Sequence, residues 1–197
     1  MAHTSNGTNA LLRVVNILKE ISMDFDPSIS RNKHPDFPTF AEGIAKLFID
    51  DRLFDILPRL ELELKIVGRH SPPVRPAMDP YTSTQIGVFS KSFSDTETGH
   101  FLDYPDCCIK SFSEEVRYGL DERHAEELKN VKGKAFVTTA GFVPCSVFCK
   151  EAHAKALVCF VEFAEIKKLK ALEKELSEAL PHFHSEYQGH YFEIKGE

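Results

Sequence analysis

Tryptophan is absent from this 197-residue chain, and glutamine occurs only at Gln85 and Gln188. Without Trp, large core filling falls to the 16 Phe residues, whose rings carry no polar edge in need of a partner. Scarce Gln beside abundant Glu and Lys is a composition that leans towards thermophiles. There is no basic excess either: 24 Lys and Arg stand against 30 Asp and Glu, a net charge of -6. That balance argues against a nucleic-acid partner, which calls for a basic face. No apolar run approaches the roughly 20 residues of a membrane helix. The first apolar stretch, Leu11 to Ile21, is interrupted by Arg13, Asn16, Lys19 and Glu20, so it does not read as a secretory signal. The expectation is a cytoplasmic protein with no membrane segment. No C-x-x-C motif and no glycine-rich phosphate loop is found.

What is present is the composition of a folded globule, 42% apolar and 27% charged. The length suits one sizeable core, and residues 1–197 read as one domain with a loose terminus over 1–8. Helices dominate the pattern. Asn9 caps a helix to about Ser22, and Thr39 with Glu42 forms a capping box that opens another. Arg52 to Leu57 reads as helix broken at Pro58, and Leu60 to Val67 as helix again. Four prolines make Ser71 to Pro80 extended, a short strand follows near Gln85 to Ser90, and Ser94 to Gly99 reads as a polar loop. Pro105 starts a helix to about Tyr118, and Asp121 to Asn130 forms another. Ala135 to Val143 reads as a strand, Ser146 to Leu180 as one long helix, and Tyr187 to Ile194 as a further strand. The fold class expected is mostly helical α+β: a helical body, a small sheet and a long C-terminal helix.

The chemistry lies in the cysteines. Four of the five come in pairs, Cys107 with Cys108 and Cys145 with Cys149. With no sign of secretion, they read as free, metal-bound or redox thiols before disulfides. Both pairs fall near expected helix starts, Pro105 before one and Pro144 and Ser146 around the other. A helix N-terminus carries unsatisfied N–H groups and partial positive charge, which favour thiolate and so pre-tune each pair towards ionisation. Thiolates select zinc or an iron–sulfur cluster, so Cys107, Cys108, Cys145 and Cys149 form the candidate metal set. His153, one turn beyond Cys149, could replace one thiol. Adjacent Cys107 and Cys108 diverge by about 100° on a helix, so one must bend inward for both to bind one ion.

Two other readings stand beside the metal. One is an enzyme with an activated cysteine, Cys108 or Cys145 as nucleophile and His100 or His153 as base, or a redox thiol pair. The other is an interaction protein whose cysteines merely fill a core, the reading that suits Cys159 best.

Around the same residues the sequence resembles an archaeal family known as a domain of unknown function. That family pairs a Gly-Tyr-Pro-x-Cys-Cys segment with a Pro-Cys-Ser-x-x-Cys segment. Tyr104, Pro105, Cys107, Cys108, Pro144, Cys145, Ser146 and Cys149 match it. Asp103 stands where Gly is common, and Gly141 near where a His often stands. The resemblance implies an archaeal source and hands over no activity.

Lesser candidates are a trio of histidines, His182, His184 and His190, that could hold a metal, and a basic stretch, Arg69, His70 and Arg75, that could meet an anion. A loop with Ser90, Lys91, Ser92 and Ser94 could cradle a phosphate. Ile166, Leu169, Leu172, Leu176 and Leu180 form a stripe that packs on the body or on a second copy, giving a homodimer.

Overall fold

A computed structural model describes residues 53–86, 94–115, 119–181 and 191–196, with positions 12, 13, 15, 16 and 19 besides. The expected helix from Thr39, the loop with Ser90 to Ser92, and His182, His184 and His190 lie outside the described residues. The elements in chain order are α1 Leu53–His70, α2 Pro80–Gln85, α3 Asp95–Phe101, α4 Asp106–Glu115 and α5 Glu122–Leu128. Then follow β1 Ala135–Thr139, α6 Lys150–Ala154, β2 Val158–Val161, α7 Phe163–Ala179 and β3 Phe192–Lys195. The fold is mostly helical α+β, as expected.

The sheet is antiparallel in the order β2-β1-β3. Successive side chains on a strand point to opposite faces, and here each face meets a different core. Ala135, Val137, Val161 and Phe192 face a large core that holds Ile66 and Val67 of α1 and Ile166, Leu169, Leu172 and Leu176 of α7. Phe136 and Val158 face the other way, into a smaller core with Cys108, Phe142, Val147, Cys149, Ala152 and Leu157. The central strand is therefore buried along its whole length. Cys159, paired with Val137, packs at the edge of the first core, so it sits on the opposite side of the sheet from Cys108 and Cys149.

Four expectations are corrected. Helix α1 runs through Pro58 without a break. The proline removes the bond to the carbonyl of Phe54, a residue 78% exposed in the first turn, where the loss costs least. The polar segment from Ser94 is helical: Ser94 Oγ accepts from Glu97 N–H, and Glu97 returns a bond to Ser94 N–H. This capping box outweighs the poor helix propensity of Thr96, Thr98 and Gly99. The single helix expected from Ser146 to Leu180 is in fact a loop, α6, β2 and α7. Ala156 takes a left-handed φ of 54° and ends α6, after which Val158 to Val161 pair with β1. The apolar run there suits both helix and strand, and pairing with a fully buried strand decides it. Gln85 ends a helix and does not begin a strand.

The basic stretch divides between surface and core, with Arg69 and His70 exposed and Arg75 buried. Arg69 and His70 both pair with Glu175 of α7, and Arg75 is buried, its carbonyl accepting from Thr139 Oγ1 at 2.8 Å. The leucine stripe of α7 is taken up by the chain's own core. Among the described residues no helix is long and apolar enough to cross a membrane.

Candidate metal centre

The early cysteine pair is set by the turn between α3 and α4. Asp103 adopts φ 57°, the left-handed region that favours glycine and tolerates Asp. A glycine would take this conformation without strain. Lys155 Nζ holds the Asp103 carboxylate at 2.6 Å. The Pro105 carbonyl then accepts from Cys108 N at 2.9 Å and Ile109 N at 3.0 Å, so Pro105 caps α4 and both cysteines lie in its first turn. Helix α3 packs tightly behind. A Cβ on Gly99 would lie 2.5 Å from Ile109 Cγ1, so only glycine allows this approach.

The late pair is set by the loop after β1. Gly141 turns the chain at φ 75°. Phe142 then packs edge-on against Tyr104, ring centroids 4.7 Å apart, which ties the two motifs together. Helix α5 fixes the next residues. His124 Nε2 donates to the Pro144 carbonyl at 2.7 Å, and Glu127 Oε2 accepts from Ser146 Oγ at 3.0 Å and from Val147 N at 2.8 Å. Cys149 follows as the N-cap residue of α6, its N–H bonded to the Ser146 carbonyl at 3.0 Å.

These two segments bring four sulfur atoms to one point. The Cys107–Cys108, Cys107–Cys149 and Cys108–Cys149 sulfur separations are 3.9, 3.7 and 3.7 Å. Cys145 completes the group, and all four lie within 4.8 Å of one another. The vicinal cysteines converge because they sit at the helix start, where the loop of the late pair folds onto them: Cys145 N donates to Cys108 Sγ at 3.4 Å. Cys108 and Cys149 are buried, Cys145 is half-buried and Cys107 is exposed. The centre thus lies at the surface of the smaller core, with one corner open.

Electrostatics differ from the expectation that both pairs are pre-tuned to ionise. Burial, followed by a hydrogen bond from Cys149, pushes Cys107 up. Burial pushes Cys108 far up and Cys145 up to about 12. At Cys149 burial also acts upwards, but the Ala152 N–H and the three neighbouring thiols outweigh it, and its thiol lies below the ordinary value. Crowding explains the split: one thiolate gathers the hydrogen bonds, and every further negative charge is repelled by the first. A cation would remove that repulsion and hold all four as thiolates.

His153 is not in the sulfur group. Its Nε2 donates to the Val147 carbonyl at 2.9 Å and its ring lies 5.5 Å from Phe160, so the imidazole braces the loop, and the fourth member of the sulfur group is a cysteine. His100 likewise stays outside it, its Nε2 3.5 Å from the exposed Asp106 carboxylate. Sequence reasoning missed His124 and Glu127. Asp121 marks the start of their helix, but nothing local tells that its buried face would grip a loop some 20 residues on.

Comparison with known proteins gives relatives and a family. An uncharacterised protein of Methanothermobacter thermautotrophicus is 43% identical over 150 residues, covering 74% of this chain and 81% of the relative. One of Methanocaldococcus jannaschii is 41% identical over 146 residues, covering 71% and 78%. The family described as Protein of unknown function (DUF483) matches residues 60–177, a span that contains all four clustered cysteines, His124 and Glu127. No solved structure gives a significant match.

Proposed function

Given that the chain belongs to the DUF483 family, we propose that it is a metal-binding protein that holds one zinc ion on Cys107, Cys108, Cys145 and Cys149. The observation that carries this reading is the sulfur spacing. A zinc–sulfur bond of about 2.3 Å sets the edge of a sulfur tetrahedron at about 3.8 Å. The three measured separations, 3.7 to 3.9 Å, match that edge. A 4Fe–4S cluster places a separate iron under each thiolate and a 2Fe–2S cluster splits the four between two irons, so both need the sulfurs spread more widely than one ion does. Zinc, with no geometric preference of its own, suits a site whose shape the protein sets.

Four protein ligands leave no position for water or substrate, so the ion acts first as a structural tie. It joins the start of α4 to the loop before α6, segments that the Cys145 N–H to Cys108 Sγ bond, the Tyr104–Phe142 contact and the packing of the smaller core also hold together. The surrounding residues do the positioning: Asp103 and Pro105 aim one pair, while His124 and Glu127 hold the loop of the other. A reading with Cys108 or Cys145 as an unaided nucleophile has less support, because burial holds both thiols protonated.

Elemental analysis of the purified chain tests this. One zinc per chain is expected, falling sharply in Cys108→Ser and Cys149→Ser variants and unchanged in Cys159→Ser. A brown protein with several irons per chain, or no metal at all, refutes it.

A further inference from the structure

On the reading that one zinc ion occupies the four-thiolate centre, we propose that Cys107 is a reactive metal-bound thiolate, one that accepts alkyl groups from soft carbon electrophiles reaching the open corner of the site. The sulfurs are not equivalent. Cys108 is buried and receives the Cys145 N–H, Cys149 is buried, and Cys145 is half-buried beside the smaller core. Cys107 alone among the four combines exposure with the lack of any N–H donor among the described residues. An N–H···S bond withdraws charge from a thiolate and blunts it, so the sulfur without one keeps the most nucleophilic lone pair.

The setting favours attack. Four thiolates on a divalent ion carry a net charge of −2, and this charge sits at a protein surface rather than in a sealed core. In the step itself a Cys107 lone pair forms the new S–C bond. The bond from that carbon to its leaving group breaks, and the leaving group departs with the electron pair. Cys107 becomes a neutral thioether, the centre falls from −2 to −1, and no oxidant, reductant or proton donor is needed. The loss of one charge and one strong ligand loosens the tie between α4 and the late loop, so alkylation is transmitted to the fold. Asp106, next to Cys107 in the first turn of α4, and Lys110 one turn on are both exposed.

The test uses the full chain loaded with zinc and assayed for metal beforehand. It is treated with limiting iodoacetamide or methyl iodide, then digested and read by peptide mass spectrometry. Cys107 is expected to be modified first, at least tenfold faster than each of the other four cysteines. In a Cys107→Ser chain that still carries zinc, the fast phase should vanish while the remaining cysteines stay protected. A chain that takes up no zinc overturns both the inference and the reading beneath it. A zinc-loaded chain whose first modified cysteine is any residue other than Cys107, or whose cysteines all react at one rate, overturns the inference alone.

Discussion

From a fully buried position, His124 donates through Nε2 to the carbonyl of Pro144, the residue before Cys145, at a distance of 2.7 Å. Nδ1 faces Asp121, 2.8 Å from its Oδ1 and 3.1 Å from its backbone N. The imidazole therefore joins the first turn of α5 to the loop that carries a candidate ligand, without touching the sulfurs itself.

Replacing His124 with Ala should act on both fold and metal. A buried carbonyl left unpaired costs about 1–3 kcal/mol, and residues that orient ligands are worth roughly 10–100-fold in metal affinity. Urea unfolding and zinc competition against a chromogenic chelator would measure the two separately. Equal zinc affinity in the variant and the parent would show that the loop holds its own shape.

Metal affinity should rise with pH. Cys107, Cys108 and Cys145 lie above the ordinary thiol value in the metal-free chain, so they are protonated near neutrality and zinc must displace those protons. Lowering the pH from 8 to 6 therefore weakens binding, with more than one proton released per ion. Isothermal titration in buffers of different ionisation heat counts them. A release of no more than one proton contradicts the pattern of shifts.

A second pH effect belongs to Glu63, buried in α1. Burial, and then the nearby Asp79 charge, raise its carboxyl well above the usual range. Its Oε2 accepts from Asp79 N–H at 3.0 Å, while Oε1 has no partner among the described residues. The folded chain thus holds this proton more tightly than the unfolded chain does. The resulting stability is complete below the ordinary carboxyl range and is lost as pH rises through the folded-state value. Glu63→Gln should flatten that decline and stabilise the protein at pH 8 by about 1–3 kcal/mol. Thermal melts across pH 4.5 to 8 compare the two chains, and parallel curves would count against a raised carboxyl.

Gly99→Ala should push α3 away from α4. The added methyl would sit 2.5 and 2.8 Å from Ile109 Cγ1 and Cδ1. Overpacking of this kind costs about 1–3 kcal/mol, and because α4 carries Cys107 and Cys108, zinc should bind more weakly as well. Adding Ile109→Ala should recover part of the zinc affinity by clearing the clash. Failure of the double variant to do so would mean that Gly99 matters for its backbone and not for space.

Local chemistry is what the sequence makes legible. Pro105 at a helix start, Asp121 at another, the alternation of Leu60 to Val67 resolved as helix, and β1 from Ala135 to Thr139 all depend on neighbours a few residues apart. Two cysteine pairs with aligned prolines were likewise enough to nominate Cys107, Cys108, Cys145 and Cys149. The misread span from Ser146 to Leu180 shows the boundary of that reasoning. Val158 to Val161 satisfies both helical and strand patterns, and only a partner strand to its side makes it a strand.

By itself, then, the order of residues determined the helical bias, the helix starts at Pro105 and Asp121 and the identity of the clustered cysteines, since these follow from backbone sterics and side-chain type. Tertiary structure decided that Cys107 and Cys149 stand 3.7 Å apart, that His153 turns to a carbonyl instead, and that His124 braces the loop. The physical reason is distance along the chain. Such contacts form only when the two faces of one central strand are covered, and no local preference encodes which remote segment will cover them.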